Sequence, residues 1–218
     1  PGYGTYFNEG RNKILLDIRK MAWDKYKLKI VMVPENFGEP NIGVYDGFLI
    51  YLSGSGITPL IPLVDAVYGD VCSRFGQYRN DNSRDLFGRT EGGWSFYHLV
   101  GLHLTWGRQL GWNHPAVRDV GWYAGGGLEN YRLKLAQARQ KAKQYLVEGR
   151  MMRAPVIETK LPVVTSNWGL GDETDPVVMA TAWQAKDKSA AIVLVNASSE
   201  KQTISIKTKL SDLGLHTG

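Results

Sequence analysis

The hydrophobic period of this chain changes near residues 149–153, and that change limits the folds open to it. Upstream, apolar residues come in short unbroken runs or recur at spacings of three and four. Those are the marks of buried strands and of helices packed on them. Downstream, short runs at 156–157, 161–165, 177–183, 190–195 and 203–207 are separated by Asp, Lys, Ser and Asn turns. That is the pattern of antiparallel strands. Lys186-Asp187-Lys188 and residues 197–201 read as hairpin turns. The expected class is α/β followed by all-β, with strand–helix units over 1–150 and an antiparallel β module over 151–218.

Within the first part, the run LKIVMV at 28–33 stops at Pro34 and hands over to Glu35, with Glu39 and Asp46 close behind. A short apolar run bounded by breakers reads as a buried parallel strand. Carboxylates just past its C-terminal end stand where a β/α barrel keeps its chemistry, so this junction is a candidate active-site rim. Further strands are expected at 47–52 and 59–64, the second ending at Asp65. Helices are expected over 9–25 with Asn8 as N-cap, over 94–110 buried on most sides, and over 127–147 with Gly149 as its stop. The stretch 68–93 reads as one long polar loop, a length usually reserved for function.

Charge and cysteine content narrow the function. The net charge is +5, but Arg132, Lys134, Arg139, Lys141 and Lys143 lie on an otherwise apolar helix and read as its solvated face. No nucleic-acid partner is expected, because no aromatic-basic interleaving accompanies them. The single cysteine, Cys72, excludes an internal disulfide and reads as a small buried hydrophobe. No apolar run reaches the roughly 18–20 residues that span a bilayer, so no membrane partner is expected. The chain opens on Pro1 rather than Met, which suggests a processed or truncated beginning. The sequon at Asn196-Ala197-Ser198 reads as a chance occurrence in a turn.

No cofactor or metal is expected. His98 and His103 are five apart and share no helix face as i and i+4 would, so they read as core or surface histidines. Gly125-Gly126-Gly127 lacks the Gly-Lys-Ser/Thr of a phosphate cradle, and no nucleophile elbow is present.

The strings VPENFGEP and VYDGFLIY, then ITPLIPLVDAVYGDVCSRFGQ, QLGW, KLAQARQKAKQYLVEGRMMRAP and TAWQAKDKSAAIVLVNAS carry a resemblance. Together they resemble the C-terminal half of a bacterial glycoside-hydrolase-like barrel family, related to the α-galactosidase type of barrel and largely without assigned function. The resemblance implies the C-terminal part of a (β/α)8 barrel followed by a β-sandwich, the chain being a fragment. The strands at 28 and 59 would be the last two of the barrel. It also implies a carbohydrate partner, and a missing N-terminal barrel half or another chain to complete the site. A secreted or periplasmic location follows if the resemblance holds.

Glycoside hydrolysis needs two carboxyl groups across the scissile bond. Glu35 and Asp65, each placed after an expected strand, are the candidate catalytic pair, and burial at the rim would suit Glu35 to an acid role. Glu39, Asp46, Tyr68, Arg74 and Trp112 are candidate substrate-binding residues, with Tyr45 and Arg79 on the same loops. The competing reading is a non-catalytic carbohydrate-binding or assembly module in which the barrel part is scaffold.

Overall fold

A computed structural model describes residues 3–35, 37–50, 62–75, 94–110, 127–167 and 172–215. The chain opens with helix α1, Tyr3–Tyr26. It starts earlier than the expected cap: Asn8 lies inside it, its Oδ1 accepting from Arg11 Nη2 at 2.8 Å. Ala22 is the one buried apolar side chain of α1 among those described, and Ile14, Met21, Trp23 and Tyr26 stand exposed. The helix is held by polar ties instead. Arg19 Nη2 donates to Val44 O at 2.8 Å and to Asp46 Oδ2 at 2.8 Å, and Asn12 Nδ2 donates to Pro40 O.

The expected buried strand at 28–33 is a correction. The segment forms no ladder, and Leu28, Val31 and Val33 are exposed, Val31 at 76%. It does run beside the next strand, because Met32 O accepts from Asp46 N at 3.0 Å and Pro34 O from Leu49 N at 3.3 Å. Burial of a central strand requires neighbours on both sides. Among the described residues this segment has one.

That neighbour, β1 (Gly47–Leu49), pairs in parallel with β2 (Ser73–Phe75), Phe48 opposite Arg74. A further parallel bridge joins Phe75 to Gln109. Phe48, Ile50 and Cys72 form a small core covered by Phe37, Tyr45 and Tyr68. Between β1 and β2 lies α2, Leu63–Tyr68, which corrects two expectations. Leu63 and Val64 are helical rather than the end of a strand, since Pro62 at the N-cap pre-sets the first turn and its carbonyl accepts from Ala66 N at 2.8 Å. The expected long loop holds, in its first part, the end of α2 and β2; residues 76–93 lie outside the described ones.

Helix α3 (Trp94–Thr105) is buried as expected from His98 onward. It ends sooner, because Gly107 turns the chain at φ +69, a left-handed conformation that a side chain resists. A Cβ there would stand 2.5 Å from Leu146 O and 2.8 Å from Trp183 Cη2. The expected third helix is two, α4 (Gly127–Lys141) and α5 (Lys143–Leu146), divided at Ala142. Gly149 does end this helical stretch: its N–H bonds Tyr145 O, and a Cβ would stand 2.8 Å from Gln184 O.

The remainder is antiparallel. Strands β3 (Arg150–Met152), β7 (Val178–Gln184) and β8 (Ala190–Asn196) form one sheet in the order β3-β7-β8. Strand β4 (Val156–Ile157) pairs with β9 (Ile206–Lys207), and β5 (Val163–Asn167) with β6 (Asp172–Pro176). These antiparallel sheets fit a β-sandwich. Lys186-Asp187-Lys188 does turn the β7–β8 hairpin, Ser189 N and Oγ donating to Asp187 Oδ1. Residues 197–201 do not turn a hairpin, because β9 pairs away with β4. The bend there is tied by Asn196, whose Nδ2 donates to Glu200 O at 2.7 Å.

The main core lies between helices and sheet: Leu99, Leu102 and Leu104 of α3, Leu135 of α4 and Leu146 of α5 pack on Met179, Trp183 and Val195. Thr105 O accepts from both Thr181 Oγ1 (2.8 Å) and Trp183 Nε1 (3.1 Å), so the end of α3 is bonded to β7. No helix among the described residues is long and apolar enough to cross a membrane.

Candidate functional site

The parallel segments give the sheet a direction. Pro34, Ile50, Phe75 and Leu110 mark its C-terminal end, the end at which a β/α arrangement carries its chemistry. Glu35 follows Pro34 at that end and is exposed. The burial expected to favour an acid role is therefore not met by the described surroundings. The segments following the other strands, 51–61, 76–93 and 111–126, lie outside the described residues, and with them Trp112 and Arg79. Glu39 is exposed and opens a 3-10 turn, Glu39–Asn41, whose last residue is buried, and Tyr68 is half-buried with its ring 5.2 Å from Phe37.

Asp46 stands at the opposite, N-terminal end, just before β1. Its carboxylate is engaged by Arg19 and by Met32 N at 2.8 Å, which ties α1 and the 28–34 segment to the sheet. A polar cleft of about 260 Å³ opens here, lined by Asp46, Asp70, Ser73, Arg74, Gln109 and Arg139. Its place at the foot of the strands is one associated with stability rather than catalysis.

Asp65 is neither on the rim nor free. In the first turn of α2 it is fully buried, and two arginines close on it. Arg74 Nε donates to Oδ1 at 2.8 Å, and Arg108 donates through Nε to both oxygens (3.0 and 3.1 Å) and through Nη2 to Oδ2 (2.7 Å). Arg74 spends its other donors on carbonyls of Gly69 (2.6 Å), Cys72 (2.8 Å) and Trp106 (3.3 Å). Arg108 also lies over the Trp106 ring, 4.8 Å from its centroid. Such charge-assisted, part-bidentate bonds are among the strongest and most directional a side chain makes. The arrangement fastens α2, β2 and the turn after α3 together.

Sequence reasoning missed Arg108. Its signal was the one arginine in the largely apolar segment 99–110, since a buried charge must be paired. Arg139 is a further correction: rather than lying on a solvated face it is half-buried, donating to Arg108 O at 3.0 Å and Gly107 O at 3.3 Å. Burial, aided by nearby Arg74, lowers its pKa. Cys72 is buried as expected, Sγ facing Tyr68 O at 3.6 Å, and burial pushes its thiol up.

Both helix histidines are core residues. Burial pulls His98 down to about 4 and, with the Arg108 charge, His103 to about 3, so both are neutral at physiological pH. His98 Nε2 faces Asp175 Oδ2 at 3.8 Å across a groove of about 320 Å³ between α3 and the β module. Among the described residues no three His, Cys, Asp or Glu side chains are grouped to hold a metal ion.

In class, then, the described strands from β3 to β9 are all antiparallel, with helices packed on one of their sheets. Residues 171–215, from just before β6 to the 3-10 turn Leu210–Leu213, match the model of the glycosyl hydrolase family 30 beta sandwich domain. That match supports a glycoside-hydrolase-related C-terminal domain. No curated protein and no solved structure matches the chain.

Proposed function

We propose that this chain is part of a glycoside-hydrolase-like protein acting on poly- or oligosaccharide by carboxylate acid/base chemistry. The observation that carries the reading is the match of residues 171–215 to a glycoside-hydrolase β-sandwich domain. The β module braces the helices against a parallel sheet, the C-terminal part of a β/α barrel. Glu35, at the end of the sheet where such chemistry is held, is the residue we assign to proton transfer. Asp65, enclosed by Arg74 and Arg108, we assign to holding that sheet and its helices together. Glu39 belongs to the substrate side of the rim, and Tyr68, at the end of α2 leading into β2, to the packing beneath it. Hydrolysis takes a second carboxyl group, which we place on the rest of the barrel, in a longer protein or another chain. The exposed apolar side chains of α1 and of 28–33, such as Trp23 and Val31, are the surface such a part would cover.

The test is Glu35→Gln in the full-length protein, assayed on a panel of oligosaccharides that the unaltered protein hydrolyses. Loss of an acid/base group lowers turnover about 10²–10⁴-fold with little change in substrate binding. Unchanged turnover sinks the catalytic role of Glu35. A chain that retains oligosaccharides without cleaving them supports the rival reading, a carbohydrate-binding module. That rival is favoured by the fact that the matched segment is the sandwich alone.

A further inference from the structure

The cleft at the foot of the parallel strands holds a cation that no carboxylate among the described residues answers. Arg139, in the last turn of α4, is half-buried and lines this space of about 260 Å³ with Ser73, Arg74 and Gln109. Part of its guanidinium is spent: Nε donates to Arg108 O at 3.0 Å and Nη2 to Gly107 O at 3.3 Å. Those carbonyls fix the plane of the group. Nη1 bonds nothing among the described residues, and it is not closed off from solvent. The charge that Arg139 feels is one of its own sign, Arg74, which together with burial disfavours the cation. Two acids share the cleft, but neither pairs with Arg139. Asp46 is held by Arg19 and by Met32 N, and Asp70 is exposed. A half-buried cation set beside another is costly without a counter-ion.

We infer that this cleft binds a small oxyanion, a carboxylate or a phosphate-type group, held by Arg139 Nη1 with the Ser73 hydroxyl as second donor. Three features select that chemistry. Nη1 has N–H groups to give and no acceptor capacity, so its natural partner is an oxygen, and an ionised one binds it most strongly. Ser73 Oγ accepts from Gln109 Nε2 at 2.6 Å, which leaves its own proton to donate. A volume of about 260 Å³ lies just below the usual range of ligand pockets, room for one charged group with few atoms attached rather than a chain. The donor is also set in advance. With Nε and Nη2 anchored on carbonyls, little side-chain freedom is lost when the anion arrives. Neither Glu35 nor the chemistry of the rim enters, so the cleft stands or falls apart from the carbohydrate reading.

The experiment is an NMR titration of the full-length protein with inorganic phosphate, sulfate and acetate, at constant ionic strength with chloride as the balancing anion. It is followed at the Ser73 amide and at the Arg139 Nε–H. Expected is a saturable shift of both at millimolar concentration for at least one of the three. A response to acetate alone marks a carboxylate site, and one to phosphate or sulfate a site for a tetrahedral group. Arg139→Gln, followed at the Ser73 amide, should weaken binding at least about tenfold, the loss typical of a hydrogen bond to a charged group. Gln109→Glu keeps the shape and brings in a charge of the ligand's own sign, and should weaken it by about as much. Gln109 is exposed, so this variant keeps the test open if Arg139→Gln does not fold, and thermal unfolding of both checks that point. The inference is overturned if none of the three anions gives a saturable shift in the unaltered protein, or if either folded variant binds as tightly. An Arg139 that only braces the turn at Gly107 predicts that result.

Discussion

Removing the carboxylate of Asp65 tests the structural assignment of the buried ion cluster most directly. In the folded chain this fully buried group neutralises one of two arginines, each at most 2% exposed in its side chain, through bonds of 2.7–3.1 Å. Asp65→Ala leaves Arg74 and Arg108 facing each other across an apolar gap. Breaking a buried pair in this way costs about 3–5 kcal/mol, because a desolvated charge is stranded. Domains are stable by only about 5–15 kcal/mol, so the loss is a large share of the total. Urea unfolding of the full-length protein reads it as a lower midpoint at unchanged slope. The triple substitution Asp65→Leu, Arg74→Met, Arg108→Met removes the charges together and should recover part of the loss, the carbonyls of Gly69, Cys72 and Trp106 losing their Arg74 donor. A cost for Asp65→Ala below about 1 kcal/mol, the scale of an exposed pair, would refute the reasoning. A further variant, Asp65→Asn, separates the two roles open to this residue. A brace makes Asp65→Asn lose stability and keep turnover at temperatures where it is folded, and a proton donor makes it lose turnover and keep stability.

Gly107→Ala should destabilise by about 2 kcal/mol or more, because the residue needs φ +69 and the new methyl meets Leu146 O and Trp183; thermal unfolding within error of the unaltered protein would contradict the turn geometry. Stability should fall as pH is lowered from about 6.5 toward 4, since His98 and His103 take up protons in the unfolded chain before they do so in the folded one. Asp175, raised by burial, works in the opposite sense, contributing stability that is lost as pH rises through its folded value. His103 is therefore the cleaner probe, and His103→Gln should flatten the acid limb of a stability–pH curve, by an amount on the order of a few kcal/mol. An unaltered limb would mean that His103 is not buried neutral.

How much of this was legible in the sequence depended on whether a segment's state is set locally or by a distant partner. Strands β7 and β8 were readable because their apolar runs are broken by Lys186-Asp187-Lys188, whose Asp caps its own turn. Strand β6, Asp172–Pro176, was not: five polar or turn-forming residues become a strand only because β5 lies alongside. Asp65 was singled out, but as the end of a strand. Pro62 made that segment helical, and the residue that decides Asp65's role, Arg108, is 43 positions away. Glu35 was read as following a buried strand, but the segment before it forms no ladder and Glu35 itself is exposed.

The switch in period near 149–153 reads as a seam between two modules, and the packing across it is what gives the β module its bearing on the site. Gly101 of α3 sits so close to the sheet that a Cβ would stand 2.5 Å from Met179 Cε and 2.9 Å from Val195 Cγ1. Contact of that kind permits no sliding without loss of dispersion contacts over the whole face. The carbonyl at the end of α3 is held by Thr181 and Trp183 of β7. Two residues on, Gly107 and Arg108 carry the chain back to the buried Asp65, and Gln109 N bonds Arg74 O on β2. Strand β7 is therefore joined through Thr105 to the parallel sheet within a few residues, along bonds and packed side chains rather than through a linker. The placing of the parallel sheet thus rests on the same core as the β module, to which Thr105 and Arg108 tie it.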